Sequence, residues 1–314
     1  MPRDENPPPR PDLAASGRKV CVAIGVFDGV HLGHQQVIRQ TVADAQQYEA
    51  LPVAVTFDRH PNAVVAPTRV PPLIYSLPQK LRAIESLGAD ATWVIRFDEA
   101  FSRQTGEEFV RALARDFAHL RSVCVGSEFT FGHKRSGDVT FLRKLGEQLH
   151  FAVHGLAAVA LDGRTVSSTR IREAIAQGHL DAASQMLGRS YALAGTVVKG
   201  DQVGRKLGFP TANVDVAGLA LPPHGVYVAH AVTGGRSLRA AVNIGLRPTR
   251  EQGPTAPRVE AHLLDFDGDL YGQELELAFV KKLREERRLE SLDALRDQIQ
   301  RDVAEARRQF EAES

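Results

Sequence analysis

Sulfur and bulky aromatic groups are scarce in this chain: its 314 residues include two cysteines, two methionines and one tryptophan. Cys21 and Cys124 both sit in apolar, strand-like runs. They read as small core residues in a reducing compartment, not as a disulfide or part of a metal site. Excess charge is also lacking, because 39 Lys and Arg stand against 38 Asp and Glu. No field favours nucleic acid or an anionic membrane, and neither is expected as a partner. No apolar stretch reaches the roughly 18–20 residues needed to span a bilayer. The first sixteen residues, with four prolines between Pro7 and Pro11, lack the apolar centre of a signal peptide. Residues 1–17 are therefore expected to form a disordered tail on a cytoplasmic protein.

What is present is enough chain for two domains, each with its own core. From Arg18 to about Met186, apolar strand-like runs alternate with amphipathic stretches. The strands are expected at Val20–Phe27, Leu51–Phe57, Asp90–Phe97, Ser122–Gly126 and Phe151–Ala158, and helices at Gln35–Tyr48, Gln79–Leu87 and Gly106–His119. This alternation predicts a parallel sheet wrapped by helices, with ligands beyond the carboxyl ends of the strands. After about Gly188 the pattern shortens to β-rich runs at Tyr191–Val198, Gly225–Val232, Leu238–Gly245, Val259–Phe266 and Leu275–Leu283, which predicts an antiparallel barrel or sandwich. Leu292, Leu295, Ile299, Val303, Ala306 and Phe310 recur at helical spacing, so a final helix should lay one stripe on the β domain. The boundary is set near Gln185–Arg189, giving domains 18–186 and 187–314.

The densest chemical signal in the first domain is Gly25-Val-Phe-Asp-Gly-Val-His-Leu-Gly-His34, where a buried strand hands over to a helix. Gly25, Gly29 and Gly33 let backbone approach a ligand, and free N–H groups at a helix start favour anionic oxygens. His31 and His34 add two donors, which suits a triphosphate whose bridging oxygen gains charge as a bond breaks. Zinc is the alternative, but no further cluster at ligand spacing follows. Ser167, Ser168 and Thr169 open another helix, either as caps or, with Arg172 one turn further on, as a cradle for pyrophosphate.

In the second domain the dense cluster is Gly195–Asn213. Its glycines are ordinary in barrel connections; the functional alternative is a loop, Gly200–Gly208, covering ATP phosphates while the oxygens of Thr211 and Asn213 bind Mg2+. Transfer of phosphate to an alcohol also needs a proton acceptor. Glu260 is the best candidate, on the same strand face as His262, with Val259 and Ala261 on the other. The charged run Lys281–Arg288 reads as solvated surface.

In order and spacing, FDGVHLGH, TFDRHP, GSEFTFGHKRSG and SSTRIR resemble the adenylyltransferase half of the bacterial riboflavin kinase/FMN adenylyltransferase family. PTAN, NIGLRPT, EAH and DFDGDLYG resemble its kinase half. The resemblance implies a Rossmann-like nucleotidylyltransferase domain followed by a closed β-barrel with a carboxy-terminal helix. It implies that riboflavin and ATP give FMN in the barrel, and that FMN and ATP give FAD and pyrophosphate in the first domain. Gly25, Phe27, Asp28, His31, Gly33, His34, Ser168, Thr169 and Arg172 would bind ATP in the first domain, and His60, Glu128, Phe129 and Arg135 the flavin. In the barrel, Gly200, Gly204, Lys206, Gly208, Thr211 and Asn213 would bind ATP, the last two would also hold Mg2+, and Glu260 would be the base. Glu128, Arg59, Arg250 and Leu289 depart from the family pattern. A kinase with a lapsed adenylyltransferase half, or a flavin-binding regulator without turnover, are the alternatives.

Overall fold

The computed structural model describes residues 17–246, 257–287 and 289–312. The expected tail, apart from Gly17, and the departure at Arg250 lie outside the described residues. The chain divides into two compact units, with the boundary between Arg170 and Ile171.

The first unit is built on five parallel strands, β1 (Val20–Ile24), β2 (Leu51–Phe57), β3 (Ala91–Ile95), β4 (Leu120–Gly126) and β5 (Ala152–Leu156), in the order β3-β2-β1-β4-β5. Around them run α1 (Leu32–Tyr48), α2 (Asn62–Val65), α3 (Leu77–Glu85), α4 (Glu99–Ser102), α5 (Gly106–Asp116) and α6 (Val139–Leu149). Alternation within the strands gives each face its own texture. Val22, Val53 and Val123 meet Val110 and Leu113 of α5 and Leu142 of α6. On the other face Ala23, Ala54 and Cys124 leave room for Val37 and Ile38 of α1 and Ile84 of α3. Both cysteines are buried and unbridged. Thr105 starts α5 with a full capping box, its hydroxyl accepting from the Glu108 amide while the Glu108 carboxylate accepts from the Thr105 amide.

β1 pairs with both β2 and β4, because the chain runs from β1 through β2 to β3 on one side and then crosses back to β4 on the other. The crevice at such a reversal, beyond the strand ends, is where open α/β sheets bind ligands. β1 is shorter than the expected Val20–Phe27, because Gly25–Phe27 have already entered the turn. A hairpin, β6 (Ala160–Leu161) and β7 (Arg164–Thr165), leads into α7 (Ser168–Ala176), followed by α8 (Leu180–Leu187).

The second unit is a closed antiparallel barrel, as the resemblance implies, where periodicity alone left a barrel or a sandwich. Its strands are β8 (Ala192–Val198), β9 (Ala212–Val214), β10 (Gly225–Thr233), β11 (Arg236–Leu246), β12 (Pro257–Leu263) and β13 (Glu274–Arg284), closed in the order β10-β11-β12-β9-β8-β13. A short helix, α9 (Val203–Lys206), interrupts the glycine loop, and α10 (Leu292–Ala312) follows the barrel. Only the far end of the α10 stripe packs as expected, with Ala306 and Phe310 against Val228, Ala241 and Leu264. Leu295 and Ile299 instead line a cavity, and Leu292 is exposed.

Candidate functional sites

The turn after β1 is held in an uncommon backbone shape. Phe27 (φ 51°), Gly29 (φ 77°) and Val30 (φ 41°) are all left-handed, and for a β-branched residue this is strained. Such strain persists only where surrounding bonds over-determine it. They do so here. The buried Asp28 carboxylate accepts from the amides of Ile74 (2.9 and 3.1 Å) and Tyr75 (3.2 Å). Gln35 donates to the Val30 carbonyl (3.0 Å), and Ser168 donates to the Asp28 carbonyl (3.1 Å).

His31 is the residue that caps α1, its Nδ1 accepting from the His34 amide at 3.4 Å. The two imidazoles stack with centroids 3.6 Å apart and planes 18° apart, and Phe27 meets His34 edge-on. Gly33 makes this arrangement possible, since a Cβ there would lie 3.2 Å from the His31 ring. Gly25 plays the same part for Phe27, whose ring would be 2.6 Å from a Cβ. The sheet end therefore carries a stacked pair of histidines beside the open amides of a helix start, an anion-binding arrangement.

Further along, Ser167 caps α7 by accepting from the Arg170 amide at 3.3 Å. Arg170 is committed to the hairpin carbonyls of Leu161 (3.1 Å) and Arg164 (3.0 Å). Of the two arginines in Ser168-Thr-Arg-Ile-Arg172, the first is thereby occupied with shaping the turn. Ser168 is tied to the His turn itself, and Thr169 is exposed at the helix start.

His60 follows β2 and its Nδ1 accepts from the Asn62 amide at the start of α2 (3.1 Å). Arg59 pairs with Asp58 (2.9 Å), whose carboxylate also accepts from the Phe97 amide. In the loop after β4, Phe129 stacks on Phe131 with centroids 5.3 Å apart, while Glu128 and Arg135 are exposed. Phe131 continues into a chain of ring contacts through Phe109, Phe101 and Phe57, edge-to-face between Phe109 and Phe101 and tilted at the other two steps.

One residue in this unit gave no sequence signal as a site residue. Lys80 of α3 is buried, and its ammonium donates to the carbonyls of Val26 (3.3 Å) and Phe57 (2.7 Å) and to the Thr56 hydroxyl (3.1 Å). Within Gln79-Lys-Leu-Arg82 it looks like a surface helix lysine.

In the barrel, two cavities share a wall. One, of about 220 Å³, is lined by Phe209, Thr211, Asn243, Glu260 and the α10 residues Leu295 and Ile299. The other, of about 440 Å³, is lined by Gly200, Thr211, Asn213, Asp267 and Tyr271. Thr211 belongs to both. Strand register sets Asn213 beside Glu260 and Glu260 beside Asn243, a polar row across three strands. Arg258, two residues before Glu260 on the same face, is ion-paired with it and lies 3.6 Å from Asp201 of the glycine loop. His262 donates from Nδ1 to the Pro210 carbonyl (2.8 Å), steadying the approach to Thr211.

The glycine loop fits closely on these residues. A Cβ at Gly200 would lie 2.3–2.6 Å from three atoms of the Asn213 amide group, and one at Gly204 would lie 2.5 Å from the Phe209 carbonyl oxygen. Gly208 takes a left-handed turn (φ 86°), and Lys206 is exposed at the end of α9. Among the described residues no three His, Cys, Asp or Glu side chains cluster as metal ligands. The neutral oxygens of Thr211 and Asn213 suit a hard cation whose shell is completed by water and phosphate.

Lys281–Arg288 is only in part the solvated run expected: Lys281, Glu285, Glu286 and Arg287 are exposed, Arg288 lies outside the described residues, and Arg284 departs from the expectation. Arg284 is paired with the buried Asp302 (2.6 and 2.8 Å), and Arg284, Glu286, Arg287 and Leu289 line the smaller cavity. The charges are there because the end of β13 and the chain after it form a cavity wall facing α10.

A family model described as FAD synthetase matches residues 13–170, and another described as riboflavin kinase matches residues 187–310. Two similar curated proteins are named bifunctional riboflavin kinase/FMN adenylyltransferase. That of Escherichia coli (strain K12) is 36% identical over 306 residues, covering 95% of this chain and 96% of that protein. That of Pseudomonas fluorescens is 38% identical over 288 residues, covering 91% and 92%. A crystal structure described as a macrolide-efflux protein from Streptococcus pneumoniae aligns with a TM-score of 0.77 and 27% identity, covering 92% of this chain and 94% of that one. Among the described residues of the present chain, no helix is long and apolar enough to cross a membrane.

Proposed function

The chain belongs to the bifunctional riboflavin kinase/FMN adenylyltransferase family, and from that premise we propose how its residues share two reactions. It is an enzyme of flavin cofactor synthesis, a riboflavin kinase and FAD synthetase with ATP and flavins as substrates. We assign phosphorylation to residues 187–314 and adenylylation to residues 18–186.

In the barrel, the larger cavity takes ATP beneath the Gly200–Gly208 loop and the smaller takes riboflavin. A terminal hydroxyl of riboflavin attacks the γ-phosphorus, the bond to the bridging oxygen breaks, ADP leaves, and the hydroxyl proton passes to the Glu260 carboxylate. Thr211 and Asn213 would hold Mg2+, which would offset phosphate charge. The observation that carries this reading is the shared wall: Thr211 borders both cavities, with Glu260 on the flavin side and Asn213 on the nucleotide side. Arg258 holds the Glu260 carboxylate in place by charge and hydrogen bonding.

Within residues 18–186, a phosphate oxygen of FMN attacks the α-phosphorus of ATP and pyrophosphate leaves. An ionised phosphate needs no base, so positioning and charge stabilisation supply the catalysis. His31 and His34 donate to phosphate oxygens at the α1 start, helped by Gly25, Phe27, Asp28 and Gly33, which shape the turn, and by Ser168, Thr169 and Arg172. His60, Glu128, Phe129 and Arg135 are assigned to the flavin, with the stacked Phe129 offering an aromatic face. The enzyme is assigned to the cytoplasm.

Incubation of the whole protein with riboflavin, ATP and Mg2+ should yield FMN first and then FAD, with pyrophosphate released in step with FAD. Accumulation of FMN alone would mean that the adenylyltransferase half has lapsed. Flavin binding without ATP consumption would mean a regulator.

A further inference from the structure

Lys80 lies on none of the segments that carry the family motifs, yet it joins two of them. Its ammonium reaches Val26, the residue after Gly25 in the His turn, and Thr56 and Phe57, where β2 ends. Three acceptors surround a group with three protons. The Thr56 hydroxyl donates onward to the same Val26 carbonyl at 3.0 Å, closing a ring of hydrogen bonds between the carboxyl ends of neighbouring strands. Burying a cation without a directly bonded carboxylate is costly, and a neutral residue of similar length would fill the space at lower cost.

We propose that Lys80 is a positioning residue for adenylyl transfer: its ammonium fastens the ends of β1 and β2 together and so fixes the turn that carries His31 and His34. This rests on the assignment of that turn to the adenylyltransferase reaction.

Donor counting shows why the charge matters and not only the bulk. A neutral amine has two protons and one lone pair, so it cannot donate to all three acceptors. Either one carbonyl loses its partner, or the Thr56 hydroxyl turns from Val26 towards the amine. In both cases a bond that holds the strand ends is lost. Burial pushes the Lys80 amine down to about 8, opposed by the charges of Asp28 and Asp58, the charged groups that face it. Asp58 is itself paired with Arg59.

Loss of the proton is not loss of the fold. The amine is depressed in the folded state relative to an ordinary lysine, so between about pH 8 and pH 10.4 the unfolded chain binds more protons, and the Lys80 contribution to stability rises with pH. Adenylylation should therefore decline above pH 8 without unfolding, while the barrel reaction in the same molecule provides an internal control.

The test measures FAD formation from supplied FMN and FMN formation from riboflavin, with the full chain, from pH 6.5 to 9.5. Wild-type kcat for adenylylation should fall about tenfold per pH unit above the limb, and phosphorylation should show no matching limb. Lys80→Arg keeps the charge at every pH tested and should abolish the limb. Lys80→Met should lower adenylylation about 10²-fold at neutral pH, the scale of an ångström of misplacement, and leave phosphorylation intact. A limb shared by both reactions, a missing limb, or one that persists in Lys80→Arg would overturn the proposal. If a variant does not fold, the wild-type comparison still decides. His31→Ala separates this failure from failure of the site assignment, since undiminished adenylylation in that variant would remove the premise itself.

Discussion

Gly200→Ala tests the barrel site at one atom. A methyl group there would lie 2.3 Å from Nδ2, 2.5 Å from Cγ and 2.6 Å from Oδ1 of Asn213, closer than real carbon contacts allow. What it meets is the end of a side chain and not backbone, so the amide can turn away and the barrel can still close. Gly200 is not in the left-handed region, and where alanine fits the backbone it commonly adds about 0.4–1 kcal/mol by restricting the unfolded chain. Stability should consequently change little. The cost falls on Asn213, whose displacement by roughly an ångström would separate it from Thr211 and from the metal they are proposed to share. A shift of that size costs about 10²-fold in rate, equivalent to about 2.7 kcal/mol at the transition state. Steady-state riboflavin phosphorylation should show that loss together with a higher Mg2+ requirement. Formation of FAD from supplied FMN, and the melting temperature, should stay near wild type. Wild-type phosphorylation with an unchanged Mg2+ requirement would refute the role given to Asn213. Equal damage to both reactions would refute the separation of the sites.

Glu260→Gln keeps size but removes the proposed proton acceptor, and should lower riboflavin phosphorylation roughly 10²–10⁴-fold, measured by FMN formation with FAD synthesis from supplied FMN as the control. Thr105→Ala removes the capping box of α5 and should cost about 1 kcal/mol of stability in denaturant titration, without altering either KM.

Much of the parallel-sheet unit was legible because its strands are continuous apolar runs and the turn proposed to bind ATP is marked by glycines and histidines. From periodicity alone the closed barrel was one of two β architectures, and the motif resemblance singled it out. β9 is three residues long and carries no periodicity of its own; it becomes a strand through pairing with β8 and β12. Lys80 was invisible because nothing adjacent in sequence distinguishes it from the exposed lysines of other helices; its environment comes from Val26 and Thr56, far away along the chain. The reading of Lys281–Arg288 as surface holds for Lys281, Glu285, Glu286 and Arg287 but missed Arg284 for a related reason. Charge density predicts water, but Asp302, which neutralises Arg284, belongs to α10. The α10 stripe was correctly read as apolar, yet periodicity cannot say that one part of it meets the barrel and another a cavity.

An open sheet has outer strands that can fray or slide; a ring has none. In this barrel the row Asn213, Glu260, Asn243 is defined by hydrogen-bonded registers on both sides of β12. A slip by one residue would turn Glu260 into the hydrophobic interior and bring Val259 out in its place. The spacing of the polar row is thus as hard to alter gradually as the circumference itself, and adaptation to new alcohols has to come from the surrounding loops and α10.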